Sequence, residues 1–289
     1  MENPKYRVAV LMAVCNGIQF LHEQVDSIMR QRSVVVDLWI SDDNSTDGSY
    51  EWCLDLASRD PQAHTLPKSG PFGSASANFF RLLTEVDLTG YEFIAFADQD
   101  DIWDHDKLAV SIEQLQAGNF EGVSSDVTAF WPDGTQKLIV KSQVQKALDY
   151  VLESAGPGCT YLMRVDFASE VAAWINECSW ERPPPHDWLI YAYCRTRNYR
   201  WHVIPRSTVM YRQHEGNFLG ANYGISGKLA RLRSIYAGDF RRDVEQVSSL
   251  LGSAYQVQTS KRALLLNWKV LRRDWREAFI FFLMCLVFW

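Results

Sequence analysis

Hydrophobic and polar positions change period several times in the first 130 residues. Tyr6 to Val14 is almost continuously apolar and rich in Val, Leu and Ala, the pattern of a strand covered on both faces. After an Asn16-Gly17 turn, Leu21, Val25, Ile28 and Met29 recur at helical spacing and predict a helix over Phe20 to Arg30. Val34 to Ser41 is β-branched again and reads as a second strand. The polar run Asp42 to Gly48 precedes a helix over Tyr50 to Ala57, with Ser45 or Thr46 as its expected cap. Ser69 to Gly73 is a loop before a helix carrying Phe79, Phe80, Leu82 and Leu83. Tyr91 to Ala97 is a strongly apolar strand that runs into Asp98-Gln99-Asp100-Asp101. A helix over Asp106 to Gln116 and a strand over Gly122 to Phe130 follow.

This alternation predicts an α/β fold, a mainly parallel sheet flanked by helices. Ligands of such sheets bind beyond the carboxyl ends of the strands, where Asp42-Asp43 and Asp98 to Asp101 fall. No G-x-G-x-x-G follows the first strand and no G-x-x-x-x-G-K-[ST] occurs, which excludes the usual dinucleotide and P-loop sites. Beyond about Gly227 the pattern is purely helical, with a break near Gly252. The expected division is a nucleotide-binding and catalytic domain over 1–225 and a basic helical region over 226–289.

Composition adds bounds. With 289 residues, 47% hydrophobic and 22% charged, the chain is a folded globular protein and not a disordered or collagen-like one. Its six cysteines form no C-x-x-C pair, so a reducing, cytoplasmic setting is expected. A net charge of -6 makes nucleic acid a poor partner. The charge is uneven: residues 226–289 hold 11 basic and 5 acidic side chains, a balance of +6 against -12 in the rest. An acidic body suits a cation site, and a basic tail suits an anionic surface, although long helices also carry such residues routinely. The polar start, without a cationic region or cleavage site, is not read as a signal peptide. Ala278 to Trp289 is apolar but too short to span a bilayer. Behind Arg272, Arg273 and Arg276 it suits lying in the inner face of a cytoplasmic membrane, with packing on the core or on a second copy as the alternative.

Four polar clusters carry candidate chemistry. Three carboxylates among Asp98, Asp100 and Asp101 repel one another unless a cation is present, and Mg²⁺ or Mn²⁺ takes one or two such oxygens together with substrate phosphates; a solvated acidic turn is the alternative. Asp42 and Asp43 can accept a pyrimidine N–H or serve as caps and turns. Asp187 opens a helix after Pro183-Pro184-Pro185-His186, where the helix dipole favours its charged form, as a general base needs; an N-cap is the alternative. Trp188 can stack on a sugar or fill core, and His186 beside it is a candidate acceptor contact. Arg212 and His214 can address phosphate or metal from the far side, or be structural.

Five blocks, VAVLMAVCNG at 8–17, ISDDNSTDGS at 40–49, FADQDDIWDHDKL at 96–108, PHDW at 185–188 and YRQHEGNFLGA at 211–221, are together similar to the family-2 glycosyltransferases, and most to their rhamnosyltransferase-type branch. The resemblance implies a GT-A fold. It implies that Asp42, Asp43, Ala13 and Cys15 meet the base and ribose, that Asp98 meets ribose or sugar, and that Asp100 and His214 hold the metal, with Asp187 as catalytic base. Cys15 departs from the pattern, since related sequences often carry a Tyr there that stacks on the base. No Q-x-x-R-W motif of processive synthases occurs. The implied activity is inverting transfer of one sugar, L-rhamnose from its thymidine-diphosphate form, to a bacterial surface glycan such as lipopolysaccharide core or O-antigen. Galactofuranose or a hexose from a UDP donor is the alternative. A nucleotidylyltransferase would need a Gly-rich basic loop after the first strand, which Asn16-Gly17-Ile18 does not supply, and a carbohydrate-binding protein would not need three acidic clusters.

Overall fold

The computed structural model describes residues 6–180, 182–214, 239–252 and 259–288. The first half alternates β1 (Tyr6–Val14), α1 (Ile18–Met29), β2 (Val34–Asp42), α2 (Ser49–Arg59), β3 (Ala63–Thr65), α3 (Ala75–Glu85) and β4 (Phe93–Ala97). Next come β5 (Ile102–Trp103), α4 (Lys107–Ala117), β6 (Gly122–Phe130), β7 (Gln136–Ile139), β8 (Leu162–Arg164), α5 (Val165–Glu177), α6 (His186–Thr196) and β9 (Trp201–Arg212). Three helices close the described chain: α7 (Asp239–Leu251), α8 (Lys261–Asn267) and α9 (Trp275–Phe288).

The strands form one sheet in the order β3-β2-β1-β4-β8-β6-β9-β5, with β7 paired to β6. From β3 to β4 it is parallel, as the alternation predicts. Beyond β4 it is mixed, because β8 runs antiparallel to both β4 and β6, and β5 antiparallel to β9. The three-residue β8 is too short to carry a period, so no pattern announced it.

Strand β1 shows why both faces need cover. Ala9, Leu11 and Ala13 enter one hydrophobic cluster with α3, α5 and α6, while Val8, Val10, Met12 and Val14 enter another with α1, α2 and α4. That is the two-residue period of a strand between two helical layers. In α1, Leu21, Val25 and Ile28 meet the sheet at helical spacing, each burial worth roughly 1.5–3 kcal/mol.

The cap of α2 differs from expectation. Gly48, at φ 94°, occupies the cap position, and Asp47 accepts the Ser49 N–H at 3.0 Å. Ser45 and Thr46 instead bind Asn16, tying the loop after β2 to the loop after β1. The boundary expected at 225 lies outside the described residues. Within them, Val244 and Val247 of α7, Leu264 of α8, and Phe281 and Cys285 of α9 share the cluster that holds Tyr150, Trp188 and Tyr191 of the body. No helix is long and apolar enough to cross a membrane among the described residues.

Candidate active site

The site sits where three parallel strands end together. Met12 pairs with Ala97, and Val14 with Asp42, so the loops after β1, β2 and β4 leave the sheet side by side. Gln99 locks two of them: the Cys15 N–H donates to its Oε1 at 2.8 Å and its Nε2 donates to the Cys15 carbonyl at 3.0 Å. Glycine at position 17 permits this approach, since a Cβ there would lie 2.2 Å from Gln99 Oε1. The Cys15 Sγ in turn lies 3.7 Å from the Asp43 carbonyl, which joins the second acidic loop to the first.

Pairing of β5 with β9 brings a distant segment back onto the acidic loop. The Arg212 N–H donates to Asp101 Oδ1 at 3.1 Å, and its Nε donates to the Asp100 carbonyl at 2.7 Å. Its guanidinium also pairs with Glu23 and lies over Phe20 and Phe130. Two residues on, His214 Nε2 is 2.7 Å from Asp100 Oδ2, with its ring against Phe20.

From the other side comes α6. Asp187 lies in its first turn, its Oδ1 accepting the Trp188 N–H at 2.7 Å and its carbonyl accepting the Tyr161 hydroxyl at 3.0 Å. Asp98, half-buried, follows the last residue of β4. Burial first, then the charges of Asp100 and Asp187, push its carboxyl up to about 7. The charge of Asp187 on α6 is therefore felt at the β4 loop, and the raised pKa of Asp98 eases the repulsion among these carboxylates.

Beneath the loop is a buried layer. Asp101 is fully buried, and burial followed by Asp98 and Asp100 raises its carboxyl well above the usual range. Lys107 is also fully buried, its Nζ 3.5 Å from the centre of the Trp103 ring, and burial pushes it down to about 7. Asp98, Asp101 and Cys159 offer ligand atoms within 4.8 Å of one another. This trio does not fit a hard cation: burial raises the Cys159 thiol well above its ordinary value, and a neutral sulfur is a poor partner for Mg²⁺ or Mn²⁺. Asp100 and His214 do fit one. Their facing carboxylate oxygen and imidazole nitrogen form a donor pair suited to Mn²⁺ or Mg²⁺.

The other expected residues have different surroundings. Ala13 is buried at the end of β1, and Cys15 is exposed. The Asp43 carboxylate accepts the N–H groups of Phe72 and Gly73, ordering the loop before α3. Asp42 is 1% exposed, and its Oδ1 accepts the Ser45 N–H at 2.9 Å within its own loop. His186, expected as an acceptor contact, lies among aromatic rings: it stacks on Phe79 at 4.2 Å and meets Phe96 edge-on, and burial drives its pKa down to about 4. Trp188 is core as well, its indole N–H bound to the Tyr150 carbonyl and its ring stacked on Phe240. Arg212 braces the acidic loop from beneath. Gln99, Lys107, Cys159 and Tyr161 were not singled out by sequence. Gln99 had a signal in its place inside the acidic run, whereas Tyr161 had none.

Known proteins resemble this chain as follows. The model of the family described as "Glycosyl transferase family 2" matches residues 9–165. A dTDP-rhamnosyl transferase of Shigella flexneri, RfbG, is 39% identical over 243 residues, 83% of this chain and 84% of that protein. The Escherichia coli UDP-Glc:alpha-D-GlcNAc-diphosphoundecaprenol beta-1,3-glucosyltransferase WfgD is 24% identical over 156 residues, 53% of this chain and 58% of that one. Among solved structures, TarS of S. aureus in complex with UDP-GlcNAc is similar, with a TM-score of 0.54 at 14% identity, covering 96% of this chain and 81% of that one. At that identity the likeness speaks for the fold alone, which is the GT-A type.

Proposed function

The chain belongs to glycosyl transferase family 2 and is a glycosyltransferase, and on that premise we propose that it moves L-rhamnose from dTDP-L-rhamnose to a bacterial surface glycan with inversion. The rhamnosyl donor is favoured by the 39% identity to a dTDP-rhamnosyl transferase across most of both chains. The reaction type rests on one observation: the Tyr161 carbonyl accepts the Phe96 N–H of β4 at 3.2 Å and the Tyr161 hydroxyl donates to the Asp187 carbonyl at 3.0 Å, which ties the candidate base to the strand that carries the acidic loop.

In this reading the nucleoside end lies over Ala13, Cys15 and the Asp43 loop, which Gln99 holds in register. Asp98 faces the ribose or the sugar. Asp187 accepts the proton of an acceptor hydroxyl as its oxygen attacks the anomeric carbon from the face opposite the leaving diphosphate. A Mg²⁺ or Mn²⁺ between Asp100 and His214 would supply Lewis-acid neutralisation of the diphosphate. Arg212 keeps the Asp100 carbonyl and the Asp101 carboxylate in place behind it. A donor panel tests this, with dTDP-rhamnose, UDP-hexoses and UDP-galactofuranose assayed for released nucleoside diphosphate with Mg²⁺, with Mn²⁺ and with EDTA. Release from dTDP-rhamnose, lost in EDTA, is the expected result. Preference for a UDP donor would overturn the donor assignment, and undiminished release in EDTA would overturn the metal.

The acceptor side involves the last helix. Trp275, Phe279, Ile280, Leu283 and Leu286 of α9 are exposed, with Arg276 and Lys269 nearby. Such a cationic, Trp-bearing apolar face suits an anionic lipid surface on the cytoplasmic side, worth about 1 kcal/mol for each nearby Lys or Arg. It would bring the enzyme to a lipid-linked acceptor such as lipopolysaccharide core or O-antigen. Co-flotation with vesicles containing anionic lipid, weaker with zwitterionic ones and lost in Phe279→Asp/Leu283→Asp, is expected; flotation unchanged in that variant would refute it.

A further inference from the structure

We propose that Arg273, from the segment between α8 and α9, is a positioning residue for Asp187, acting through the loop over residues 149–156; the proposal rests on Asp187 being the base. Its side chain is 1% exposed and grips that loop at several points. Its N–H and Nε bind Glu153 Oε1 at 2.7 and 3.0 Å. The guanidinium also donates to the carbonyls of Ser154 and of Lys141, the latter at 3.1 Å. Asp149, wholly buried, lies 3.8 Å from the Arg273 Nε.

Two arms lead from the loop to α6. In the first, the Ala155 N–H donates to the Tyr161 hydroxyl at 3.2 Å, and that hydroxyl donates to the Asp187 carbonyl at 3.0 Å. In the second, Asp149 accepts from the Tyr191 hydroxyl at 3.1 Å and from Arg195 at 2.9 Å. Residues 187, 191 and 195 recur every four positions, so they share one face of α6. That face is anchored along its length on a loop that Arg273 holds from the far end of the chain. Arg195 and Arg273 face Asp149 and Glu153 here, with Arg272 at 3.9 Å from Glu153 on the outer side, so removing the Arg273 charge, the most buried of the three arginines, leaves Asp149 short of a partner in a buried setting. A helix so freed would let its first turn drift, and a displacement of about 1 Å at a catalytic group can cost about 10²-fold in rate.

The test is a double-mutant cycle on the full-length enzyme with Arg273→Met, Arg273→Lys, Tyr161→Phe and Asp187→Asn. Arg273→Met should lower kcat about 10–100-fold with the donor KM within about twofold. Arg273→Lys, which keeps the charge but loses the fork, should recover part of the loss. In the Asp187→Asn background, Arg273→Met should change kcat by less than about twofold, because the group it positions is already gone. A folded Arg273→Met enzyme with wild-type kcat overturns the proposal, as does a full loss that persists beside Asp187→Asn. If Arg273→Met does not fold, Tyr161→Phe carries the test, with the same kcat loss and non-additivity expected and a wild-type kcat overturning it. Near-normal turnover in Asp187→Asn alone overturns the base assignment and this proposal with it, whereas an inactive Asp187→Asn beside a silent Arg273→Met overturns only the positioning.

Discussion

Gly158→Ala adds a single methyl group behind the candidate base. The new Cβ would lie 2.2 Å from Nε2 of His186 and 3.0 Å from its Cε1, against ordinary contacts that begin at 3.4 Å. Relief needs about 1.2 Å of movement (3.4 − 2.2). The imidazole has little room, because it is already stacked on Phe79 at 4.2 Å and closed by Phe96 at 5.6 Å. Its backbone N–H is tied to Ser76 Oγ at 3.1 Å. Position 158 is not in the left-handed region, so the backbone accepts alanine and the whole effect is steric. Overpacking of this kind costs ~1–3 kcal/mol, or roughly 2–12 °C in Tm at about 2–4 °C per kcal/mol for larger domains. Because α6 begins at His186, the displacement passes to Asp187, and kcat should fall about 10–100-fold with little change in donor KM. Thermal denaturation and initial rates of nucleoside diphosphate release read both effects. A Gly158→Ala enzyme with unchanged Tm and kcat would show that the pocket behind Asp187 is soft, and the steric argument would be wrong.

Asp187→Asn should reduce turnover by about 10²–10⁴-fold while donor binding persists; a rate within threefold of wild type (on the order of 1 kcal/mol or less) would remove Asp187 from the base role. Asp100→Ala should abolish the metal-dependent part of donor binding, measured by calorimetry with and without Mn²⁺, and identical affinities would place the cation elsewhere. His186 titrates at about 4 in the fold against an ordinary 6.5, burial being the main cause. Between those values the unfolded chain takes up a proton that the folded chain refuses, so this contribution is full above pH 6.5 and is lost as pH falls toward 4. At about 1.36 kcal/mol per unit it amounts to roughly 3 kcal/mol in full. Urea unfolding at pH 7 and pH 4.5 should show a smaller loss for His186→Leu than for wild type, and equal losses would refute the buried neutral imidazole.

Much of the first half was legible because its signals are local. The strand over Gly122 to Phe130 and the helices around Leu21 and Phe79 follow from period alone. The acidic loop after β4 was legible too, since an apolar strand that ends in four polar residues must leave the sheet there. Roles for side chains were less so. His186 and Trp188 looked like site residues because they flank Asp187, yet a helix directs consecutive residues to different sides, and both of these fall among aromatic rings.

Sequence by itself determined the parallel core, the strand ends where chemistry gathers, and the residue types able to hold a cation or accept a proton, because each depends only on near neighbours in the chain. Tertiary structure alone decided which of those residues meet. Asp100 and His214 are 114 positions apart and touch only because β5 pairs with β9. Arg273 reaches Ser154 across 119 positions because the helices that follow the sheet share its core. Burial likewise sorted the carboxylates, leaving Asp42 and Asp101 inside and Asp98 half-buried, and burial is a property of the whole fold that no single stretch of chain contains.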